Sequence, residues 1–178
     1  LEIEFNVDIS TSLRAGLMNR EIDLAILLGP LSDPTVNNVA LPGFELAWYA
    51  SATAAPGLTG AQHLSRPVLT YARTTRPYRD LKEALLERVG PDVSLFPSSS
   101  LSASFRLVAA DLGVAALPRA LGQDHVNAGR IREFDPGWVP PPLHFTASYI
   151  GVPQSHLVET AARMAREVSL AYLRDQES

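Results

Sequence analysis

The side chains that could do chemistry in this chain are mostly hydroxyls, and they fall in three clusters: Ser10-Thr11-Ser12, Thr74-Thr75, and Ser98-Ser99-Ser100 followed by Ser102. A serine or threonine just ahead of a helix accepts from an otherwise orphaned backbone N–H. The positive end of the helix dipole then faces whatever lies beyond, which suits an anion or a carbonyl-bearing ligand. Each cluster taken alone reads equally well as a capped loop. Arg73, Arg76 and Arg79 lie beside the middle cluster. They could give a carboxylate a bidentate partner, or simply solvate the start of an exposed helix.

Other chemistries lack their residues. The chain has no cysteine, which removes disulfides, thiolate metal sites and a cysteine nucleophile. His63, His125, His144 and His156 are scattered, with no i, i+4 pair and acidic partner, so no metal site is expected. Glu21 and Asp23 are close in sequence just ahead of the predicted strand at 24–28, where the plain reading of such an acid is that it caps or pairs locally. There is no Gly-x-Gly-x-x-Gly, Walker loop or Gly-x-Ser-x-Gly elbow, so no cofactor and no catalytic residue is assigned. A net charge of −4 argues against the segment itself gripping nucleic acid. With 46% hydrophobic and 19% charged residues the chain reads as globular rather than disordered. No apolar run approaches the roughly 20 residues a membrane span needs. The opening Leu-Glu-Ile-Glu-Phe-Asn-Val is not a signal peptide, and it starts mid-pattern, as a fragment or excised domain would.

The elements that must position the hydroxyls alternate along the chain. Residues 1–9 alternate apolar and polar, which predicts a strand with one buried face. Ser10 is expected to cap a helix striped by Leu13 and Leu17, and Leu24–Leu28 reads as a strand covered on both faces. That order predicts a parallel β–α–β crossover. A turn-rich stretch, 29–43, leads to strands at 44–52 and 67–71. A helix carrying Leu81, Leu85 and Val89 and a strand at 93–96 come next. Leu101, Phe105, Val108 and Leu112 fall at i, i+4, i+7 and i+11, one buried helical face capped by Ser100. Strands at 114–117, 131–134 and 145–152 follow, with a short helix after Pro118. A last helix is predicted with Val158, Ala161, Ala165, Val168 and Tyr172 in register. The fold class is therefore α/β with parallel sheets. In open α/β sheets ligands sit beyond the carboxyl ends of strands, where all three hydroxyl clusters fall.

Two segments then resemble a known family. Ser10–Leu28, with Leu13, Leu17 and Ile22-Asp23-Leu24-Ala25-Ile26, is similar to the leucine-spaced helix and "Leu-Asp-x-Ala-Ile" of LysR-type transcriptional regulators. Leu107–Pro118 (Leu-Val-Ala-Ala-Asp-Leu-Gly-Val-Ala-Ala-Leu-Pro) resembles their "Val-x-x-Gly-x-Gly-Ile-x-x-Leu-Pro". The resemblance covers the chain and is to the effector-binding (substrate-binding) domain. It implies a two-lobed fold like type II periplasmic binding proteins, with two crossover strands. Lobe I would be 1–48 with 147–178, and lobe II 49–146. By position it implies ligand contacts at Ser10, Thr11, Thr74, Arg76, Ser99 and Ser100. It implies a small-molecule effector held in the interlobe cleft of a cytoplasmic, non-enzymatic regulator, and the helix N-termini, hydroxyls and nearby arginines favour a small carboxylate in that role. DNA contacts would come only through a winged helix-turn-helix domain absent from this chain. The implied partners are further copies, as a homodimer or homotetramer, and RNA polymerase, with no membrane; Leu17 and Met18 would lie at a subunit interface. A transport-type solute-binding protein of the same fold is the alternative.

The chain departs from the family pattern in three places. The first strand and helix of lobe I are missing. Two family glycines are replaced, one by Arg20 beside Asn19 and the other by Asp111. Both turns are expected to survive at some energetic cost, because Asn and Asp tolerate positive φ better than most residues.

Overall fold

The computed structural model describes residues 2–176. In chain order the elements are α1 (Ser10–Met18), β1 (Ala25–Leu28), β2 (Val36–Ala40), β3 (Leu46–Ser51), α2 (Gly60–His63), β4 (Val68–Thr70) and α3 (Arg76–Arg88). They continue as β5 (Leu95–Pro97), α4 (Leu101–Ala109), β6 (Val114–Pro118), α5 (Arg119–Asn127), β7 (Ile131–Phe134), β8 (Phe145–Ile150) and α6 (His156–Gln176). The chain divides into two compact units. One runs to Gly43 and resumes at His144; the other is Phe44–Leu143. The passages thus fall at 43/44 and 143/144, whereas the sequence puts them at 48/49 and 146/147. The ladders explain the difference: β3 pairs along its length with β6 and β7, while β8 pairs only with β1 and β2.

In the first unit β8 is central, in the order β1-β8-β2, and both ladders are antiparallel. The expected parallel crossover does not form, because residues 2–9 carry no strand. Their alternation is present, yet Phe5 is 89% and Val7 94% exposed. An alternating face is buried only when a ladder holds the backbone against a sheet, and no strand lies alongside this one. For a related reason β1 is covered on one face only, with Ile26 exposed. Leu17 is fully buried with Ala25, Leu27 and Val36, and Met18 packs against the same cluster. Leu17 is therefore a core residue of its own unit, not an interface residue.

The sequence missed β2, Val-Asn-Asn-Val-Ala, because paired asparagines are poor strand formers. Tertiary contacts overrule that preference. Asn38 accepts from Leu31 N–H (3.0 Å) and from the Ser148 hydroxyl (2.8 Å), and donates to Leu31 O (3.1 Å).

In the second unit the order is β5-β4-β6-β3-β7. Here β4 is parallel to β5 and β6, and β3 is antiparallel to β6 and β7, so the sheet is mixed rather than all-parallel. Alternate residues feed opposite faces, as the pleat requires. Trp48, Val68, Val114 and Ala116 pack with Leu81 and Leu85 of α3. Tyr49, Leu69, Ala115 and Leu117 pack with Phe105 and Val108 of α4. Leu112 lies beyond the helix end and is exposed, so the predicted face of α4 ends at Val108. In α6 the buried residue is Ala162, with Val158 and Ala165 partly buried beside it; Val168 and Tyr172 are exposed, a register one residue off the predicted stripe.

Three helices end alike, with the residue two past the last helical one in the left-handed region. Arg20 (φ 60°) follows α1, Asp111 (φ 62°) follows α4 and Gly129 (φ 65°) follows α5. In each, paired backbone bonds close the last turn: Arg20 N–H to Leu17 O and Glu21 N–H to Gly16 O; Asp111 N–H to Val108 O and Leu112 N–H to Leu107 O; Gly129 N–H to Val126 O and Arg130 N–H to His125 O. This is the Schellman arrangement, which prefers glycine at that position. Asp111 is further held by Arg66, whose guanidinium lies 2.8 Å from its carboxylate and donates to its carbonyl (2.7 Å). Both substituted turns survive.

Candidate functional site

Parallel pairing sets β4 and β5 side by side, with Thr70 opposite Pro97 at their carboxyl ends. Each strand then opens into a capped helix. Thr75 caps α3, accepting from Tyr78 N–H (3.4 Å) and donating to Ala72 O (2.7 Å). Ser100 caps α4, accepting from Ala103 N–H (3.2 Å). The loop before α4 is fixed by Ser98, whose hydroxyl accepts from Ser100 N–H (3.2 Å) and donates to Ser100 O (3.1 Å). Ser98 N–H donates to Thr70 O (3.0 Å), tying this loop to the end of β4. Two helix N-termini and a run of hydroxyls are thus brought to one edge of the second unit.

At that edge Thr70 is 4% exposed, and its hydroxyl oxygen has no hydrogen-bond partner. A buried hydroxyl left without a partner is costly and asks for an explanation. The sequence treats Thr70 only as part of a strand. Its signal was available: a polar residue ending an apolar strand just where the chain turns into a helix.

Thr74 and Ser99 are exposed. Arg76 opens α3 and is also exposed, its Nε donating to Asp80 Oδ2 at 3.3 Å, so its charge is shared with a carboxylate one turn on. Such an open ion pair contributes little to stability and leaves the guanidinium's other N–H groups available. Burial pushes up the phenol of neighbouring Tyr71, which stays protonated and donates to Ala116 O (2.9 Å).

Ser10 and Thr11 belong to the other unit. The cap of α1 is Ile9, with no side-chain bond; Ser10, expected as the cap, is the first helical residue. Its hydroxyl accepts from Leu28 N–H (3.0 Å) at the end of β1, which leaves its proton free to donate. Thr11 is exposed beside it. Among the described residues no group of three or more His, Cys, Asp or Glu could hold a metal ion.

The second unit also contains a cavity of about 540 Å³ near the opposite edge of the same sheet. Its walls include Trp48, Phe134 and Trp138, with Arg119, Glu133 and Asp135 as the charged groups. Arg119 Nη2 donates to Glu133 Oε2 at 3.0 Å, and the Tyr49 hydroxyl donates to Glu133 Oε1 at 3.2 Å. None of the six hydroxyl and arginine positions picked from the sequence lines it.

The family profile described as LysR substrate binding domain matches residues 1–175. No curated protein matches the sequence. Among solved structures, the chain is similar to the regulatory domain of HypT from Salmonella typhimurium in its apo form, at 20% identity and a TM-score of 0.75, covering 92% of this chain and 80% of that one. It is similar to the CcmR regulatory domain of Synechocystis PCC6803 in complex with 2-PG, at 15% identity and a TM-score of 0.74, covering 94% and 83%. The effector binding domain of QuiR in complex with shikimate aligns at 15% identity and a TM-score of 0.70, covering 92% and 79%. These likenesses establish the fold as that of LysR regulatory domains. No helix among the described residues is long and apolar enough to cross a membrane. With the family matched along nearly its whole length, the chain belongs to the LysR substrate binding domain family, the small-molecule-sensing module of LysR-type transcriptional regulators.

Proposed function

We propose that this domain binds a small polar effector, a carboxylate by preference, with Ser99, Ser100, Thr74 and Arg76 at the ends of β4 and β5 and with Ser10 and Thr11 at the end of β1. The observation that carries the reading is the buried, unpartnered hydroxyl of Thr70 beside two capped helix N-termini. A carboxylate there would meet hydroxyl donors, the positive ends of two helices and an arginine, each of which favours an anion. By binding one conformational state better than another, the effector would shift a population of states, the only way a ligand moves an equilibrium. The readout would be DNA contacts made by a winged helix-turn-helix domain, in a cytoplasmic homodimer or homotetramer that engages RNA polymerase. The domain would release its effector unchanged, because the proposed contacts are hydroxyls and an arginine without an acid–base pair.

The test is a thermal-shift panel of acetate, succinate, benzoate and shikimate against neutral polyols, followed by calorimetry on the best binder. Carboxylates should raise the melting temperature, and Ser10→Ala and Ser100→Ala should each weaken the affinity about tenfold or more, the loss of a charge-assisted hydrogen bond. Unchanged affinity in both variants would overturn the assignment.

A further inference from the structure

The sheet of the first unit has an open edge at β1. The bond from Gly29 N–H to His144 O fixes the alternation of the β1–β8 ladder. Ala25 and Leu27 therefore bond to β8, and the backbone groups of Ile26 and Leu28 point away from it. At Leu28 the N–H is taken by the Ser10 hydroxyl (3.0 Å). At Ile26 neither the N–H nor the carbonyl has a partner among the described residues, and the side chain is 51% exposed. Ala-Ile-Leu-Leu carries no charge and no proline, the usual devices that keep an edge from pairing with another chain. The same unit holds a segment with the pattern of a strand and no ladder. Ile3, Phe5 and Val7 alternate with Glu2, Glu4, Asn6 and Asp8, and are 63%, 89% and 94% exposed. Because Ser10 is held at Leu28, this segment leaves the sheet at that corner. Eight extended residues reach about 26 Å.

From an edge that lacks a strand and a segment that lacks an edge, we infer that two copies of this chain pair through β1, each laying residues 2–9 along the other's edge. The exchange is reciprocal, so it closes as a two-fold dimer instead of running on as a filament. Main-chain bonds from the added strand satisfy Ile26 N–H and carbonyl, as in other cases of strand addition. The side chains decide the face. Ala25 and Leu27 are already covered by Leu17 of α1, whereas Ile26 lies on the opposite face, paired with Ala147 and half open. Ile3, Phe5 and Val7 therefore belong on the Ile26 face, where their burial drives the association. A chain that kept this segment in water would hold three large apolar side chains exposed in a row.

The experiment has two arms, both on the full chain. Analytical ultracentrifugation from micromolar to millimolar protein should show a monomer–dimer equilibrium. Ile26→Lys guards the edge and Phe5→Lys spoils the strand; each should weaken the dimer at least about tenfold. Phe5 is exposed and outside any element, so its variant remains informative should Ile26→Lys fold poorly. Leu121→Lys, the same change at an exposed apolar residue of the second unit, should leave the dimer intact. The second arm uses the absence of native cysteine. Phe5→Cys and Ile26→Cys chains, mixed and treated with a short bis-maleimide, should be joined one to one. Monomer throughout the concentration range would overturn the inference. So would a dimer indifferent to both lysine variants, or one lost equally in Leu121→Lys. Cross-linking of Ile26→Cys chains only to each other would mean that two β1 edges meet directly, and a cross-link within one doubly substituted chain would give the edge to its own segment; either result refutes the exchange.

Discussion

Thr70→Val replaces a buried hydroxyl with a methyl group of similar size and so probes a buried polar group of the second unit that has no hydrogen-bond partner. In the wild type the hydroxyl is removed from water without a hydrogen bond, which costs about 1–3 kcal/mol. Valine removes that penalty and adds buried apolar surface to a strand whose neighbours Val68 and Leu69 are core residues. The variant should therefore be more stable by about 1–3 kcal/mol, at about 2–4 °C of melting temperature per kcal/mol for a chain of this size. Urea unfolding followed by tryptophan emission is the assay, since both tryptophans lie in the Phe44–Leu143 unit and report on that unit alone. Thr70→Ser, which keeps the hydroxyl and loses the methyl, should be less stable than wild type. A Thr70→Val protein of equal or lower stability would mean that the hydroxyl already has a partner, and the reason for calling this edge a ligand site would fall with it. Where stability rises, effector affinity should fall: a group that is costly in the free protein is worth keeping only if something else uses it.

Other consequences can be read from single positions. Gly113→Ala should destabilise by about 3 kcal/mol, the upper end for overpacking, because its new Cβ would run into the Pro67 carbonyl that accepts from Val114 N–H; a melt within 0.5 °C of wild type would contradict this. Arg20→Gly should stabilise by about 1 kcal/mol by relieving a left-handed turn. The exposed bond from Arg20 to Val152 O that it gives up offsets only part of this gain, as an urea midpoint would show. Burial first, then Arg132 and Arg66, lower the pKa of His63 below its ordinary 6.5. Above pH 6.5 the residue is neutral in both states and contributes nothing. Below it the unfolded chain binds the proton first, so stability should fall by up to about 1.4 kcal/mol per pH unit. Urea melts at pH 7.5, 6.5 and 5.5 should show that slope, and His63→Gln should flatten it.

Much of this was legible from sequence because the second unit obeys local rules. Leu81 and Leu85, then Phe105 and Val108, mark faces that are indeed buried, and Ser100 caps as its position demands. The replaced glycines at Arg20 and Asp111 told where the backbone must turn left-handed. The failures lie where a partner decides. Residues 2–9 have the pattern of a strand and nothing to pair with. β2 is a strand only because Asn38 bonds across to Leu31 and Ser148. Thr70 escaped notice because an orphaned hydroxyl is defined by its surroundings. Glu133 and Asp135 look unremarkable in the chain, and only the fold sets them beside Trp48, some 85 residues earlier.

The claim that matters most is where the effector sits. Backbone amide shifts of isotope-labelled protein, recorded as the best carboxylate from the thermal panel is added, test it residue by residue. The account predicts saturable shifts centred on Ser98–Ser100, Thr70, Thr74 and Ser10–Thr11. Shifts centred instead on Trp48, Phe134 and Trp138, with those positions still, would contradict it.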